Sequence, residues 1–395
     1  MTDEIKDKNE QSPIIDAATG GPLSKSRRRF LAHSGMYTAG LVGSALLGAC
    51  SDDKNVALAQ DDNDSMNGGM DGLDPNNPNV IVLPDGSPSD AGVLQFALNL
   101  EYLEAEYYLR AVTGNGLMED DIGGGSEDPG MVTGGRMVDF SGEPLIGRYA
   151  AEIASDELDH VQFLRSGLGD GGVISRPQIN FTDAFNAAAQ AAGLNSFDPF
   201  ASPINFLIGA FIFEDVGVSA YKGGAQFIRN RDFLTAAAGI LSVEGYHAGL
   251  VRTILTARMD EQVGDTGLNI GQIVNAISDA RDDLDGPDDI DQGIGDDNTS
   301  VSIYGSSIRS TNIVPVDDNG ITYSRTPGQV HNIVYLTPEA AEMGGFFPQG
   351  TRIPANPGLS TSSDSGSGDM DDASDMDAGD DSDSMMMDEM ETDNG

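Results

Sequence analysis

The sequence predicts an all-α core arranged as a four-helix bundle, and three observations carry that prediction. Glu157-Leu158-Asp159-His160 and Glu244-Gly245-Tyr246-His247 each set a Glu and a His three places apart within an apolar helical pattern. Such pairs share one helix face. With only four histidines in the chain, two so placed are not a product of abundance. Glu101 and Glu214 each stand on the apolar face of a further helical stretch, where a carboxylate is costly unless something neutralises it. Finally, residues 89–258 contain four long segments with apolar residues at three- and four-residue spacing. A bundle that turns these faces inward brings one Glu from each of two helices to a Glu-x-x-His from each of the other two. That arrangement holds two metal ions.

The whole chain sets the bounds. Its 395 residues carry a formal net charge of -43, which repels phosphates and excludes nucleic acid as a partner. Acidity of this degree suits a halophilic source. The single cysteine allows no internal disulfide.

Taken in order, residues 1–49 read as an export signal. Ser26-Arg27-Arg28-Arg29-Phe30-Leu31 precedes an apolar run to Ala49 and resembles a twin-arginine signal, with Arg27 and Arg28 as its pair. Leu47-Gly48-Ala49-Cys50 resembles a lipobox, with Cys50 as the lipidated residue. An uncleaved anchor is the alternative, but the run is short for a membrane span and broken by Gly and Ser. The expectation is therefore a membrane-anchored, extracytoplasmic lipoprotein that engages the twin-arginine machinery. Residues 50–88, rich in Asp, Asn, Gly and Pro, read as a disordered tether.

The first bundle helix begins at Ser89-Asp90 and sets Leu94, Ala97, Leu98, Glu101, Glu104, Ala105 and Tyr108 on one face. Glu101 is the expected metal ligand with Glu104 as its rival, and Glu106 reads as a solvated charge. Residues 113–140 read as a long loop. The second helix, about Pro144–Ser166, points Ile146, Tyr149, Ile153, Glu157, His160 and Leu164 inward, leaving Glu152, Asp156 and Asp159 as surface charges. A short helix near 182–192 leads to the third, about Pro203–Ile228, whose line Leu207, Ala210, Phe211, Glu214, Val218 and Tyr221 is apolar except for Glu214. The fourth, about Asp232–Arg258, places Glu244 and His247 among Ala237, Ile240, Val251 and Ile254. The expected metal set is Glu101 or Glu104, Glu157, His160, Glu214, Glu244 and His247, a half-site repeated twice.

Residues 259–358 read as an extension packing on the bundle. They hold one amphipathic helix (270–284), short extended runs such as Ile333-Val334-Tyr335-Leu336, and a structural His331. Residues 359–395 are acidic, Ser- and Met-rich, and read as a disordered tail.

The strings Asn99-Leu100-Glu101-Tyr102-Leu103-Glu104-Ala105-Glu106 and Phe213-Glu214-Asp215-Val216-Gly217-Val218, with the two Glu-x-x-His elements, resemble the ferritin-like superfamily. Within it they resemble the exported branch that includes plant desiccation-related proteins. The Arg325-Thr326-Pro327 and Gly344-Gly345-Phe346-Phe347-Pro348 segments are similar to that branch as well. The resemblance implies an up-down-up-down bundle with a crossover between its second and third helices. It also implies a di-iron, di-manganese or mixed centre. The Glu-x6-Tyr spacing from Glu101 to Tyr108 resembles the first helix of ferritins and implies a hydrogen-bonding or redox-active role for Tyr108. The expected activity is redox chemistry on peroxide, dioxygen or ferrous iron, catalase-like or ferroxidase-like, in oxidative or desiccation stress. The alternative is a non-enzymatic metal-binding or structural protein of the envelope. A homo-oligomer is compatible with either.

Overall fold

The computed structural model describes residues 89–352 apart from Asp297. The expected export signal with Arg27, Arg28 and Cys50, the tether up to residue 88, and the acidic tail lie outside the described residues.

Helix α1 (Asp90–Thr113) starts where Ser89 Oγ accepts from the Gly92 N–H at 3.1 Å, a serine N-cap satisfying one of the orphan donors of the first turn. It ends at Gly114, whose φ of 79° forms a left-handed C-cap. Nearly every side chain of α1 is buried, Glu101, Glu104 and Glu106 included, so it is a core helix and not an amphipathic one. The stretch read as a loop contains the single-turn α2 (Glu119–Ile122) and β1 (Val132–Thr133). Then comes α3 (Pro144–Gly172), which runs straight through Gly167 and departs from helical geometry only at Gly169, φ 64°. Strand β2 (Ile179–Asn180) pairs in parallel with β1, and α4 (Phe181–Ala191) follows. The second bundle half is α5 (Pro203–Ala225), capped by Ser202, and α6 (Arg231–Ala257), capped by Asn230. Helix α5 is long and apolar enough to cross a membrane, but it is buried inside the bundle as its central helix.

Four cross-helix bonds fix the directions. Gln95 Nε2 donates to the Gly172 carbonyl at 2.8 Å, so α1 and α3 are antiparallel. Tyr107 Oη donates to the Phe206 carbonyl at 2.7 Å and Tyr221 Oη to Glu101, so α1 and α5 are antiparallel. Arg252, near the end of α6, meets Asp215, midway along α5, at 2.7 Å, and the short connection between the two helices sets them antiparallel. The four-helix bundle and its crossover are as the sequence predicts. The order, however, is up-down-down-up, because the crossover from 173 to 202 carries the chain back along the bundle and sets α5 parallel to α3. That crossover packs through aromatic rings. Phe181, Phe185 and Phe200 gather around Tyr107 with centroids 5.2–5.8 Å away, close enough for edge and offset contacts.

The remainder clamps onto α5. Helix α7 (Ile270–Asp285), with an Asn269/Gln272 capping box, sends Arg281 to the Phe211 carbonyl (2.6 Å), Asp215 (3.0 Å) and Asp291 (2.7 Å). The hairpin β3 (Ser300–Ile303) and β4 (Ser306–Arg309) is exposed on both strands. The run Ile333-Val334-Tyr335, expected to be extended, is helical and belongs to α8 (Pro327–Tyr335). Thr326 caps that helix, Gln329 completes the capping box, and Pro327 sits in the first turn, a start signal that outranks β-branched composition. Arg325 is buried and donates to Asp285 (2.6 Å), Ser219 Oγ (2.8 Å) and Asp291 (2.7 Å). Gly223 permits this approach, since a Cβ there would overlap the Arg325 carbonyl oxygen. His331 is structural, as expected: it stacks on Tyr335 at 4.9 Å and meets Phe96 edge-on at 5.3 Å. Arg352, the last described residue, donates its backbone N–H to Asn99 Oδ1 on α1 at 2.7 Å.

Candidate metal centre

Midway along the bundle, α1, α3, α5 and α6 deliver Glu101, Glu157 with His160, Glu214, and Glu244 with His247 to one buried point. His160 Nδ1 lies 3.2 Å from Glu101 Oε2, 3.4 Å from Glu157 Oε2 and 3.7 Å from Glu244 Oε1. His247 Nδ1 lies 3.0 Å from Glu157 Oε1 and 3.7 Å from Glu214 Oε2. The two Glu157 oxygens thus face different imidazoles. Glu244 belongs to both donor groups, Glu101–Glu157–His160–Glu244 and Glu214–Glu244–His247. Glu157 and Glu244 span the centre, while Glu101 and Glu214 close its ends.

Of the two rivals on α1, Glu101 enters a donor group and Glu104 enters neither. Glu104 is buried nonetheless. It lines a small apolar cavity with Leu100, Leu103, Ile212, Val334 and Phe346, beneath α8.

The hydrogen bonds around the centre cross over. Tyr108 on α1 donates to Glu214 on α5, and Tyr221 on α5 donates to Glu101 on α1. The spacing that carries Glu101 to Glu214 in the sequence also carries Tyr108 to Tyr221 and the cap Ser89 to the cap Ser202. Tyr108 is where it was expected. Tyr221 is the residue that sequence reasoning left as part of an apolar line, although the Glu-x6-Tyr spacing repeated from α1 was the available signal. Two further expectations are corrected. Asp156 is not a surface charge, for its Oδ2 lies 3.3 Å from His247 Nε2; its place one turn-step beside Glu157 let it reach across to α6. Glu106 is not solvated either: it is buried between Arg110 (2.8 Å), Arg176 and the Leu117 N–H. Glu152 and Asp159 are exposed as expected.

Electrostatics show what the cluster lacks. Burial, opposed by His160, pushes Glu101 up to about 7, and burial opposed by His247 pushes Glu214 up to about 8. Burial, followed by the charges of neighbouring glutamates, raises Glu104 and Glu244 well above the usual carboxylate range. Glu157 moves the other way despite its burial, held down by the two imidazoles it faces. Burial disfavours charge on both histidines, yet the carboxylates beside them outweigh it and raise His160 to about 11 and His247 to about 10. Both Glu157 oxygens, both Glu244 oxygens, Glu214 Oε2 and His247 Nδ1 are buried and lack hydrogen-bond partners. Leaving such groups unsatisfied costs about 1–3 kcal/mol each, and more when they are charged. Two divalent cations answer the requirement. They neutralise the four carboxylates of Glu101, Glu157, Glu214 and Glu244 and occupy the orphaned atoms, with both imidazoles neutral. The donor set therefore fits a pair of metal ions, and its carboxylate-rich N/O character suits Fe or Mn.

Comparison with known proteins agrees with the geometry. A family model described as a ferritin-like domain matches residues 89–257. A desiccation-related protein of Craterostigma plantagineum is 28% identical over 248 residues, covering 60% of this chain and 75% of the relative. A ferritin-like catalase of Nesocodon mauritianus is 25% identical over 275 residues, covering 66% and 83% respectively. No solved structure matches the chain. The matched segment begins at the cap of α1 and ends at the last residue of α6, so it takes in the whole bundle and every donor of the centre. The bundle of this chain matches a ferritin-like domain along its whole length, and the chain is similar to a desiccation-related protein and to a ferritin-like catalase.

Proposed function

We propose that the bundle binds two Fe or Mn ions, a mixed pair included, and uses them for catalase-like redox chemistry on hydrogen peroxide. The observation that carries this reading is the convergence of two Glu-x-x-His elements, with Glu157 and Glu244 facing both halves of one buried centre. Bound there, a pair of redox-active ions supplies the electron exchange that peroxide disproportionation needs. The chain supplies the remainder. Tyr108 and Tyr221 each hold one oxygen of a terminal carboxylate and so aim the other at the centre. Leu100, Leu103 and Val216 wall the apolar cavity beside Glu104, and Glu157 and Glu244 are themselves buried from solvent. A relative that carries the name of a ferritin-like catalase supports the choice of substrate.

The desiccation-related relative favours a second reading, in which the metals brace the bundle or are sequestered in a stress protein without turnover. Ferrous oxidation uses the same donors and is tested alongside. The leader carrying Arg27, Arg28 and Cys50 supports export by the twin-arginine route and lipid anchoring outside the cytoplasm. The deciding experiment is elemental analysis of the protein from a metal-replete culture, followed by oxygen release on addition of peroxide. About two Fe or Mn per chain with oxygen release supports the catalase-like reading. Metal without oxygen release, and without ferrous oxidation, leaves the structural reading.

A further inference from the structure

The two halves of the centre repeat each other closely in sequence. The spacing that carries Glu157 to Glu244 and His160 to His247 also carries Pro144, the first residue of α3, to Arg231, the first of α6. One step in that register breaks the repeat. Asp156, the neighbour of Glu157, corresponds to Val243, the neighbour of Glu244. The consequence is visible at the two imidazoles. His247 has a carboxylate oxygen of Asp156 3.3 Å from its Nε2, on the side away from the centre. Its Nδ1 faces Glu157 and Glu214. No carboxylate among the described residues pairs with Nε2 of His160, whose carboxylate partners, Glu101, Glu157 and Glu244, all face Nδ1.

We infer that the two metal positions are unequal and fill in order, the His247 position first, because Asp156 orients His247 and no equivalent residue orients His160. The inference rests on the two-metal reading and goes beyond it by ranking the positions. A carboxylate accepting the Nε2 proton fixes the tautomer in which the Nδ1 lone pair is free, holds the ring in place and raises its basicity. Loss of such an outer partner typically lowers metal affinity 10–100-fold. His160 must settle its tautomer and ring orientation only as the metal arrives. The two donor groups differ only in Glu157, which lies within mutual reach of Glu101, His160 and Glu244, yet its Oε1 also stands 3.0 Å from His247 Nδ1 and so serves the second position too. Asp156 is a positioning residue: it reaches the centre only through His247.

The test titrates the metal-free full chain with Mn(II), following heat by calorimetry and the paramagnetic signal by electron spin resonance. In the wild type the inference expects two steps about 10–100-fold apart, with isolated-ion spectra at one equivalent and a spin-coupled pair only near two. Asp156→Asn should weaken the first step by about that factor and leave the second nearly unchanged, merging the two. Asp156→Glu should recover part of the gap, and Val243→Asp should narrow it from the other side by tightening the second step. Unchanged melting of the metal-free Asp156→Asn protein would show that the change is not a general loosening of the bundle. A single wild-type step with paired ions from the outset would overturn the inference and leave the two-metal reading intact. So would equal weakening of both steps by Asp156→Asn. A wild-type protein that takes up no Mn or Fe overturns both together.

Discussion

Gly217 on α5 faces Glu244 on α6 with no room for a side chain between them. A Cβ at position 217 would lie 2.5 Å from Glu244 Oε2 and 3.4 Å from Glu104 Oε1. Glu104 and Gly217 occupy corresponding places on α1 and α5, so an acid on one helix is matched by an absence on the other. Gly217→Ala should therefore separate two properties that usually fall together. Alanine favours the helix by up to about 1 kcal/mol over glycine, while its methyl pushes the Glu244 carboxylate off its position between the imidazoles. The expected outcome is a metal-free protein that melts no lower than wild type but binds Mn at least about tenfold more weakly, checked by differential scanning calorimetry and metal titration.

Removing a donor should cost metal directly. Glu214→Gln and His247→Ala each take a ligand from the donor group at the His247 end. Metal content after dialysis, read by elemental analysis, should fall from two per chain toward one or none. Full occupancy in both variants would contradict the donor assignment.

The crossed phenols make a paired prediction. Tyr108→Phe leaves a buried Glu214 oxygen without its donor, and Tyr221→Phe does the same to Glu101. Each should destabilise the metal-free protein by about 1–3 kcal/mol, measured by chemical denaturation. The two losses should be similar, because the bonds are equivalent across the repeat. Metal stoichiometry should persist in both.

Acidity should stabilise the metal-free bundle. Glu101 and Glu214, raised to about 7 and about 8, bind protons more tightly folded than unfolded, so their contribution is full below the ordinary carboxylate range and is lost as pH rises toward 8. His160, raised to about 11, contributes fully below its unfolded value near 6.5 and loses that contribution as pH climbs to about 11. All three slopes have the same sign, so the metal-free Tm should fall from pH 5 to pH 9. Metal takes the place of these protons, and the gap between loaded and metal-free Tm should widen over the same range. A metal-free Tm that rises with pH would contradict protonation of Glu101, Glu214 and His160 in the empty centre.

The donors were legible because burial leaves few excuses for a carboxylate. Glu214 on a helix apolar nearly all round, and Glu paired with His three places along the same helix face, each demanded a partner that its own helix could not supply. What stayed hidden was reach across helices. Asp156 lies beside the apolar stripe of α3, and nothing in its own helix shows that His247 of α6 comes within 3.3 Å. Glu106 read as solvated for the same reason, since Arg176 arrives from beyond the end of α3. The up-down-up-down order came from the resemblance, and periodicity could not correct it, because it fixes where helices are and says nothing of how far a connection travels. Ile333-Val334-Tyr335 looked extended by composition, while the Thr326-Pro327 start in front of it decided otherwise.

The clamp on α5 predicts where stability resides. Arg325→Met would strand the buried carboxylate of Asp285, and breaking a buried pair in this way costs about 3–5 kcal/mol. Limited proteolysis should then release the segment beyond α6 before the bundle itself is cut. Replacing both partners, Arg325→Met with Asp285→Leu, should recover much of the loss.

The bond from Arg352 to Asn99 spans nearly the whole described chain, and it bears on how the molecule is made. A nascent polypeptide leaving the ribosome has α1 and α3 long before α6, and so holds Glu101, Glu157 and His160 with neither their counterparts nor the segment that seals α1. Contacts of such long sequence separation form late and slow the folding rate. Glu101, Glu157 and His160 thus wait for Glu214, Glu244 and His247, and the contact of Arg352 on α1 is added after the donor set is complete.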